Sequence, residues 1–288
     1  MRSQARQQRQ HLGLAIAMAL CVLLSGAVSG AVSGSTPESI RVGPPEPEFT
    51  MTRLAYEGGS AGGFSFGRGG RNRGGAWQTD MPDAEYHLTQ GIRRLTRIDT
   101  INPEKDDLVW PLRPGGPINA GELDIFNYPF VYAVEVGNWY LDEEDAAHMR
   151  EYLLRGGFLM VDDFHGDVEW EGFLESMKRV FPDREIVEVP EDHEVFHVLY
   201  DLDHRVQIPG IASYGRDHQT TCERCNEGGR DPHWRGIFDD TGRLMVIINF
   251  NMDLGDAWEL ADDPEYPQPW TALAYRFAIS YALYSMTH

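Results

Sequence analysis

The stretch from residue 130 to residue 161 constrains the fold of this chain more than any other part of the sequence. Residues 130–136 (FVYAVEV) form a nearly continuous apolar run, which is typical of a strand buried on both faces. Residues 142–155 predict a helix, because Asp142 can cap it and acids fill its first turn. Gly156 and Gly157 end that helix, and the apolar run FLMV follows at 158–161. This order predicts a βαβ unit with parallel strands and a right-handed crossover.

The rest of the chain adds elements of the same two kinds. Apolar patterns predict strands at 49–55, 185–189 and 243–249, and helices at 82–96, 170–180 and 270–286. Residues 190–236 show no clear period, and we expect an irregular stretch there. Strands that alternate with helices predict an α/β fold, here a three-layer α/β/α sandwich with a mostly parallel sheet. We expect one such domain over residues 49–288.

The N-terminal residues are typical of an export signal. Arg2, Arg6 and Arg9 give a basic start, and residues 12–24 form an apolar run too short to span a bilayer comfortably. Small residues at 25–27 suit a signal peptidase, so we expect a signal peptide at 1–27 and a linker at 28–48. An uncleaved membrane anchor is the alternative. Since no later stretch is apolar enough to span, we expect a protein of the periplasm or cell envelope.

The charge of the chain makes nucleic acid an unfavourable partner. The formal net charge is −20, and so acidic a surface repels phosphate backbones. Residues 57–75 are rich in glycine and contain three arginines, a composition that suits a mobile loop and also some RNA-binding segments. In so acidic a chain we expect the loop, and we expect an unidentified protein or small molecule as the partner at the cell envelope.

Two turns that follow apolar strands are candidate ligand-binding positions, because open α/β sheets bind ligands beyond the carboxyl ends of their strands. The first turn holds Asp162, Asp163 and His165. The second holds Asn251, Asp253 and Trp258. Carboxylates and an imidazole can bind a divalent metal or transfer protons, whereas the alternative is that these residues only cap helices and cover the core. The two turns line one cleft if their strands are neighbours in the sheet.

The side chains of the first turn should not all face the same way. Successive side chains of an extended chain point in opposite directions, so Asp162 and Asp163 should diverge. We expect Asp163 and His165, rather than Asp162, to face the cleft. Together with Asp253 they are the candidate catalytic groups.

Two further pairs are candidate metal ligands. His193 and His197 are four residues apart, which on a helix would place both on one face. His193, Glu194 and His197 have the spacing of the H-E-x-x-H motif of zinc proteases, in which a helix carries both histidines. Cys222 and Cys225 form a C-x-x-C pair with a histidine on either side, which leaves three possibilities open: a zinc site, a local disulfide and two free thiols.

Several blocks of the chain resemble the bacterial domain-of-unknown-function family 4159, and the similarity covers residues 49–288. The blocks include Asp80-x-Pro82-x-x-Glu85, Tyr128-Pro129-Phe130, Leu153-Leu154-Arg155-Gly156-Gly157-Phe158, Asp162-Asp163, Phe181-Pro182-Asp183-Arg184 and Asp253-Leu254-Gly255-Asp256-Ala257-Trp258-Glu259. The resemblance implies a flavodoxin-like sandwich related to class I glutamine-amidotransferase domains. Those domains place a nucleophilic cysteine on a turn after a strand. This chain has Asp162-Asp163-Phe164-His165 there instead, and so it departs from the amidotransferase pattern.

These observations favour a non-catalytic function. The leading interpretation is a ligand-binding or assembly domain on an amidotransferase-like scaffold that lacks the nucleophile. The alternative is a hydrolase, metal-assisted or acid/base, that uses Asp162, Asp163 and His165 with help from Asp253 or the histidine pair. A third interpretation is a zinc-stapled interaction module around Cys222 and Cys225.

Overall fold

The computed structural model describes residues 47–58, 75–100 and 116–288. The expected signal peptide at 1–27 lies outside the described residues, as do all but the last two residues of the linker and most of the glycine-rich segment 57–75. Among the described helices, none combines the length and the apolar character needed to cross a bilayer.

Strands and helices alternate along the described chain. In chain order, the strands are β1 (Met51–Ala55), β2 (Glu57–Gly58), β3 (Ile118–Asn119), β4 (Phe130–Val134), β5 (Trp139–Tyr140), β6 (Phe158–Asp162), β7 (Val187–Glu188), β8 (His233–Phe238) and β9 (Leu244–Phe250). The α-helices are α1 (Asp83–Leu95), α2 (Glu143–Leu154), α3 (Gly166–Val180), α4 (Ile211–Asp217), α5 (Leu254–Glu259) and α6 (Gln268–Thr287). Short 3-10 helices lie at Ala76–Gln78, Leu123–Asn127, Val136–Asn138 and Glu194–Phe196.

Seven of the described strands form one mostly parallel sheet in the order β3-β1-β4-β6-β9-β8-β7. The first five are mutually parallel, and β8 and β7 each run antiparallel to the preceding strand in the sheet. Residues Val131 and Leu159 are register partners, so the parallel βαβ unit of residues 130–161 is confirmed. Val161 pairs with Ile248, which makes β6 and β9 the neighbours that the two-turn cleft requires.

The apolar runs of β4, β6 and β9 are explained by burial on both faces. Tyr132, Met160 and Ile247 belong to one core cluster, which also contains the apolar residues of α1, α5 and α6. Val131 and Leu159, which alternate with them, belong to a second cluster together with the apolar residues of α2 and α3. Helices therefore pack on both sides of the central strands, and the α/β class is confirmed.

An α-helix and a strand, besides the 3-10 helix Glu194–Phe196, lie where an irregular stretch was expected. Helix α4 and most of β8 fall within residues 190–236. In β8, Trp234 and Gly236 are buried while His233 and Arg235 are half-buried, which is the alternation of a strand near a sheet edge. Because polar residues interrupt the sequence of β8, it lacks the continuous apolar run by which β4 and β6 were recognised.

Candidate functional site

The turns after three neighbouring strands are bonded to one another at the carboxyl edge of the sheet. After β6, the N–H of Asp163 donates to the carbonyl of Met252, 3.1 Å away. After β9, the N–H of Asn251 donates to the carbonyl of Phe164 at 3.1 Å. After β4, the N–H of Glu135 donates to the carbonyl of Asp163 at 3.0 Å. The polar side chains of all three turns are therefore held together.

Four residues at this edge have a left-handed backbone. The φ angles are 64° at Asp80, 53° at Glu135, 52° at Asp163 and 63° at Asn251. Residues other than glycine adopt this region at a cost in energy, and such residues concentrate at functional sites. The sharp turns that they make direct polar side chains toward the ends of the strands.

Asp162 connects the end of β6 to α5. Its side chain is fully buried, and Oδ2 accepts hydrogen bonds from the N–H groups of Leu254 (2.8 Å) and Gly255 (3.1 Å) and from the Tyr132 hydroxyl (3.2 Å). Burial raises the pKa of Asp162 to about 7, and these hydrogen bonds oppose the rise. One oxygen of Asp162 thus anchors the helix N-terminus, while Oδ1 is buried and has no hydrogen-bond partner.

Asp163 and His165 form a buried pair. Oδ1 of Asp163 lies 3.3 Å from Nε2 of His165, and both side chains are less than a tenth exposed. Burial and the positive charge of Arg224 lower the pKa of His165 to about 3, so its imidazole is neutral at pH 7. Burial, followed by repulsion from Glu135, raises the pKa of Asp163 well above its usual range. Because the imidazole is neutral, the contact is a hydrogen bond and not an ion pair.

Three aspartates close to this pair form a carboxylate cluster. Asp80, Asp253 and Asp256 each offer one oxygen, and these three oxygens all lie within 4.8 Å of one another. Asp256 Oδ2 accepts a hydrogen bond of 2.6 Å from the N–H of Ile211, and Asp253 Oδ1 accepts one of 2.7 Å from the N–H of Asp256. Oδ2 of Asp80 is buried and has no hydrogen-bond partner. The cluster thus contains an oxygen whose hydrogen-bonding capacity is unused.

Two glycines leave room around the carboxylate cluster. A Cβ at Gly210 would lie 2.5 Å from Glu223 Oε1, 2.6 Å from Asp253 Oδ2 and 3.3 Å from Asp256 Oδ2. A Cβ at Gly255 would collide with Oδ2 of Asp80. Only glycine allows the main chain to come so close to these oxygens. Because three carboxylates converge on the space beside Gly210, Glu223 belongs to the same site.

Among the described residues of this region, the carboxyl groups outnumber the arginines whose charge reaches them, Arg53, Arg216 and Arg224. Besides Asp162, seven carboxyl groups at this edge have a raised pKa. Burial is the largest cause of the rise for each of them, and repulsion between the groups adds to the rise for most of them. The groups are Asp80, Asp163, Asp253, Asp256, Glu135 (to about 8), Glu223 and Glu259 (to about 7). Arg53 is engaged with Glu85, and Arg224 with Glu169. The site can therefore hold either protons or an added cation.

The structure brings together most of the residues that the sequence indicated, in different roles. Asp163, His165 and Asp253 lie at the carboxylate site, as described above. Asn251 holds main chain in place, because Oδ1 accepts from the N–H of Gly166 and Nδ2 donates to two carbonyls. Trp258 is fully buried in the core, where its ring lies 5.4 Å from the ring of Tyr132.

The two candidate metal pairs do not join this site. His193 packs against Phe238 and Tyr284, and its Nδ1 accepts a hydrogen bond from the N–H of Val195. The ring of His197 is bonded to the carbonyl of Glu191 and to Asp201. Both rings thus have other partners, and among the described residues the group of possible metal ligands is the carboxylate cluster.

Of the three possibilities for the C-x-x-C pair, the structure contains the disulfide. Cys222 and Cys225 are bonded to each other, and the sulfurs of a disulfide are not the thiolates that zinc requires. The expectation of a zinc-stapled module is therefore not met in this form of the protein. His233, on the downstream side of the pair, lies 2.8 Å from a carboxylate oxygen of Glu188 instead.

Four site residues were missed from the sequence: Asp80, Asp256, Glu135 and Glu223. Asp80 lies just before α1, but that helix begins after Pro82 without a side-chain cap, so the side chain of Asp80 does not cap it. Asp256 follows Asp253 by three residues at the start of α5, and this D-x-x-D spacing was the signal that could have found it.

Comparison with known families agrees with the resemblance seen in the sequence. The model of the family DUF4159, described as a domain of unknown function, matches residues 65–286. This is most of the chain, and the chain therefore belongs to that family. The matched range contains the whole carboxylate cluster. No curated protein matches the chain.

Proposed function

We propose that this member of the DUF4159 family is an exported domain that binds a hard divalent cation at the ends of its parallel strands. The observation that carries the proposal is the convergence of Asp80, Asp253 and Asp256, whose oxygens lie within 4.8 Å of one another. Oxygens that share one Mg²⁺ or Ca²⁺ ion lie at most about 5 Å apart, since metal–oxygen distances are about 2.0–2.6 Å. A cation would also neutralise the repulsion that raises the pKa values of these groups.

The order of the strands supports this location. Counted along the chain, the five parallel strands lie in the order 2-1-3-4-5, which is the flavodoxin-like order of doubly wound sheets. In such sheets ligands bind outside the carboxyl ends of the strands near the point where the order reverses, here between β1 and β4. The carboxylate site lies at this edge. A three-layer, amidotransferase-like scaffold is the architecture we propose for the whole domain.

Binding is favoured over hydrolysis by the state of the buried imidazole. A general base works best with a pKa near the working pH, whereas burial and Arg224 lower the pKa of His165 to about 3. The turn after β6 holds Asp163 where an amidotransferase-like domain has its nucleophilic cysteine. Cys222 and Cys225 are bonded to each other and follow none of the parallel strands. We therefore assign these residues a binding role.

The cation site is tested by calorimetry on the mature protein after treatment with a chelator. We expect one equivalent of Mg²⁺ or Ca²⁺ to bind, and a saturating excess near 100 times the Kd to stabilise the fold by about 2.7 kcal/mol. Asp253→Asn should abolish binding. Asp262→Asn, which makes the same charge change at a residue whose side chain is 81% exposed, should not. Absence of binding, or full binding by Asp253→Asn, would contradict the proposal.

Export is tested separately. The basic start, the apolar run and the small residues at 25–27 motivate a signal peptide, and the disulfide suits an oxidising compartment outside the cytoplasm. N-terminal sequencing of the protein from the periplasmic fraction should begin near Val28, after the small residues at 25–27, or near Val32, after the small residues at 29–31. A cytoplasmic protein that still begins at Met1 would show that the signal assignment is wrong.

A further inference from the structure

The disulfide closes a short loop, residues 222–225, that lies beside the carboxylate site. Glu223 is inside this loop, between the two bonded cysteines. The side chain of Glu223 reaches the space next to Gly210. A Cβ added to Gly210 would lie 2.5 Å from Glu223 Oε1 and 2.6 Å from Asp253 Oδ2. The same small space is therefore bordered by a carboxylate from the disulfide loop and by one from the cluster.

The position of Glu223 depends on a tightly fixed main chain. Arg224, the next residue, has a left-handed φ of 46°, and its side chain pairs with Glu169. Its carbonyl accepts hydrogen bonds from the N–H groups of Glu227 at 2.8 Å and Gly229 at 3.1 Å. A Cβ at Gly229 would collide with the carbonyl of Glu223. A residue other than glycine in the left-handed region is maintained by its surroundings, and here the bond between the flanking cysteines is one of those constraints.

We propose that the disulfide loop is a redox-sensitive part of the cation site, in which Glu223 is a further ligand and the Cys222–Cys225 bond holds it in place. This inference rests on the proposed function. Opening the disulfide frees the main chain on both sides of Glu223, and the carboxylate then has to be ordered when the cation binds. That ordering opposes binding, so the reduced protein binds the cation more weakly than the oxidised protein.

The chemical step is a thiol–disulfide exchange with a dithiol reductant. A thiolate of the reductant attacks one cysteine sulfur and displaces the other as a thiolate, and a mixed disulfide forms. The second thiolate of the reductant then attacks that mixed disulfide and closes a cyclic disulfide. The protein gains two electrons and two protons and ends with two thiols, while the reductant is oxidised. Cys222 and Cys225 are both half-buried, so a small reductant can reach them.

The test compares Ca²⁺ affinity, measured by calorimetry, in the oxidised and reduced forms of the mature protein. Reduction should weaken Ca²⁺ binding at least about tenfold. The Cys222→Ser/Cys225→Ser variant should show the weaker affinity without reductant, and reductant should not change it further. Glu223→Gln should bind Ca²⁺ at least about tenfold more weakly when oxidised and should lose most of its response to reduction.

A variant in the next turn of the chain provides the control. Glu227→Gln removes a carboxylate that is 62% exposed, and it should leave both the Ca²⁺ affinity and the redox response unchanged. Urea unfolding of each variant verifies that it is folded. If the oxidised protein binds Ca²⁺ and neither reduction nor Glu223→Gln changes the affinity more than about twofold, this inference is wrong and the proposed function stands. If the oxidised protein binds neither Ca²⁺ nor Mg²⁺, both are wrong.

Discussion

Replacement of Glu135 by glutamine should stabilise the cation-free protein, and the gain should depend on pH. Burial, followed by repulsion from Glu169 and Glu223, raises the pKa of Glu135 from 4.5 to about 8. A carboxyl group whose pKa is higher in the folded state contributes its stability below the unfolded-state pKa, and this contribution is lost as the pH rises through the folded-state value. The wild-type protein therefore loses stability between about pH 4.5 and about pH 8. Glutamine has nearly the same shape and does not ionise.

The size of the effect follows from the same pKa values. One pKa unit corresponds to about 1.4 kcal/mol, so ionisation of Glu135 lowers the free energy of unfolding by about 4 kcal/mol at pH 8. Near pH 4.5 the difference between Glu135→Gln and the wild type should be close to zero, since the carboxyl group is then largely protonated in the folded state. The stabilisation by Glu135→Gln should grow steadily between these two limits.

Urea unfolding with tryptophan fluorescence, at several pH values and with a chelator present, measures this difference. Glu171→Gln, at an exposed position on α3, is the matched control and should have the same small effect at every pH. Equal stabilisation by Glu135→Gln at about pH 5 and about pH 8, or none at either, would refute the reasoning that Glu135 is ionised at a cost to the fold.

Three other substitutions test separate parts of the site. Asn251→Ala removes the three hydrogen bonds that this fully buried side chain makes to main chain, so the free energy of unfolding should fall by about 2–4 kcal/mol in urea titrations; a loss below about 1 kcal/mol would contradict this. Gly210→Ala places a methyl group 2.5 Å from Glu223 Oε1, and calorimetry should show Ca²⁺ binding at least about tenfold weaker, not unchanged. Arg53→Met leaves Glu85 buried without its partner, so thermal unfolding should show a loss of about 3–5 kcal/mol, and a neutral outcome would indicate that water reaches the pair.

The central strands were predictable because their signal is local. The run in β4 is apolar at every position, and the run in β6 is apolar at every position before Asp162. The helix between them has a good cap in Asp142, which accepts from the N–H groups of Glu144 and Asp145. A buried parallel strand needs no alternation, so such runs are recognisable without knowledge of their neighbours. The parallel pairing then follows from the handedness of the crossover.

The composition of the site was less predictable because it depends on contacts between distant parts of the chain. Asp80 precedes α1, and Asp253 and Asp256 lie near the start of α5, more than 170 positions later; α1 and α5 lie against each other in the same core cluster. No local pattern encodes that approach. The role of Glu223 was harder still to predict, because its position follows from a disulfide, which was one of three possibilities that the sequence left open for the two cysteines.

Selection for stability and selection for the site favour different residues at the four positions with a left-handed backbone, which are Asp80, Glu135, Asp163 and Asn251. Glycine adopts that conformation without the penalty that a side chain brings, so it would relax the main chain at all four positions. It would also delete three carboxylates and an amide that holds two turns together. Variants selected only for soluble expression would drift toward glycine at the three acidic positions, whereas variants selected for cation retention would keep Asp80, whose carboxylate is one of the proposed ligands. The residue that survives at such a position would therefore show whether variants were selected for stability alone or also for cation binding.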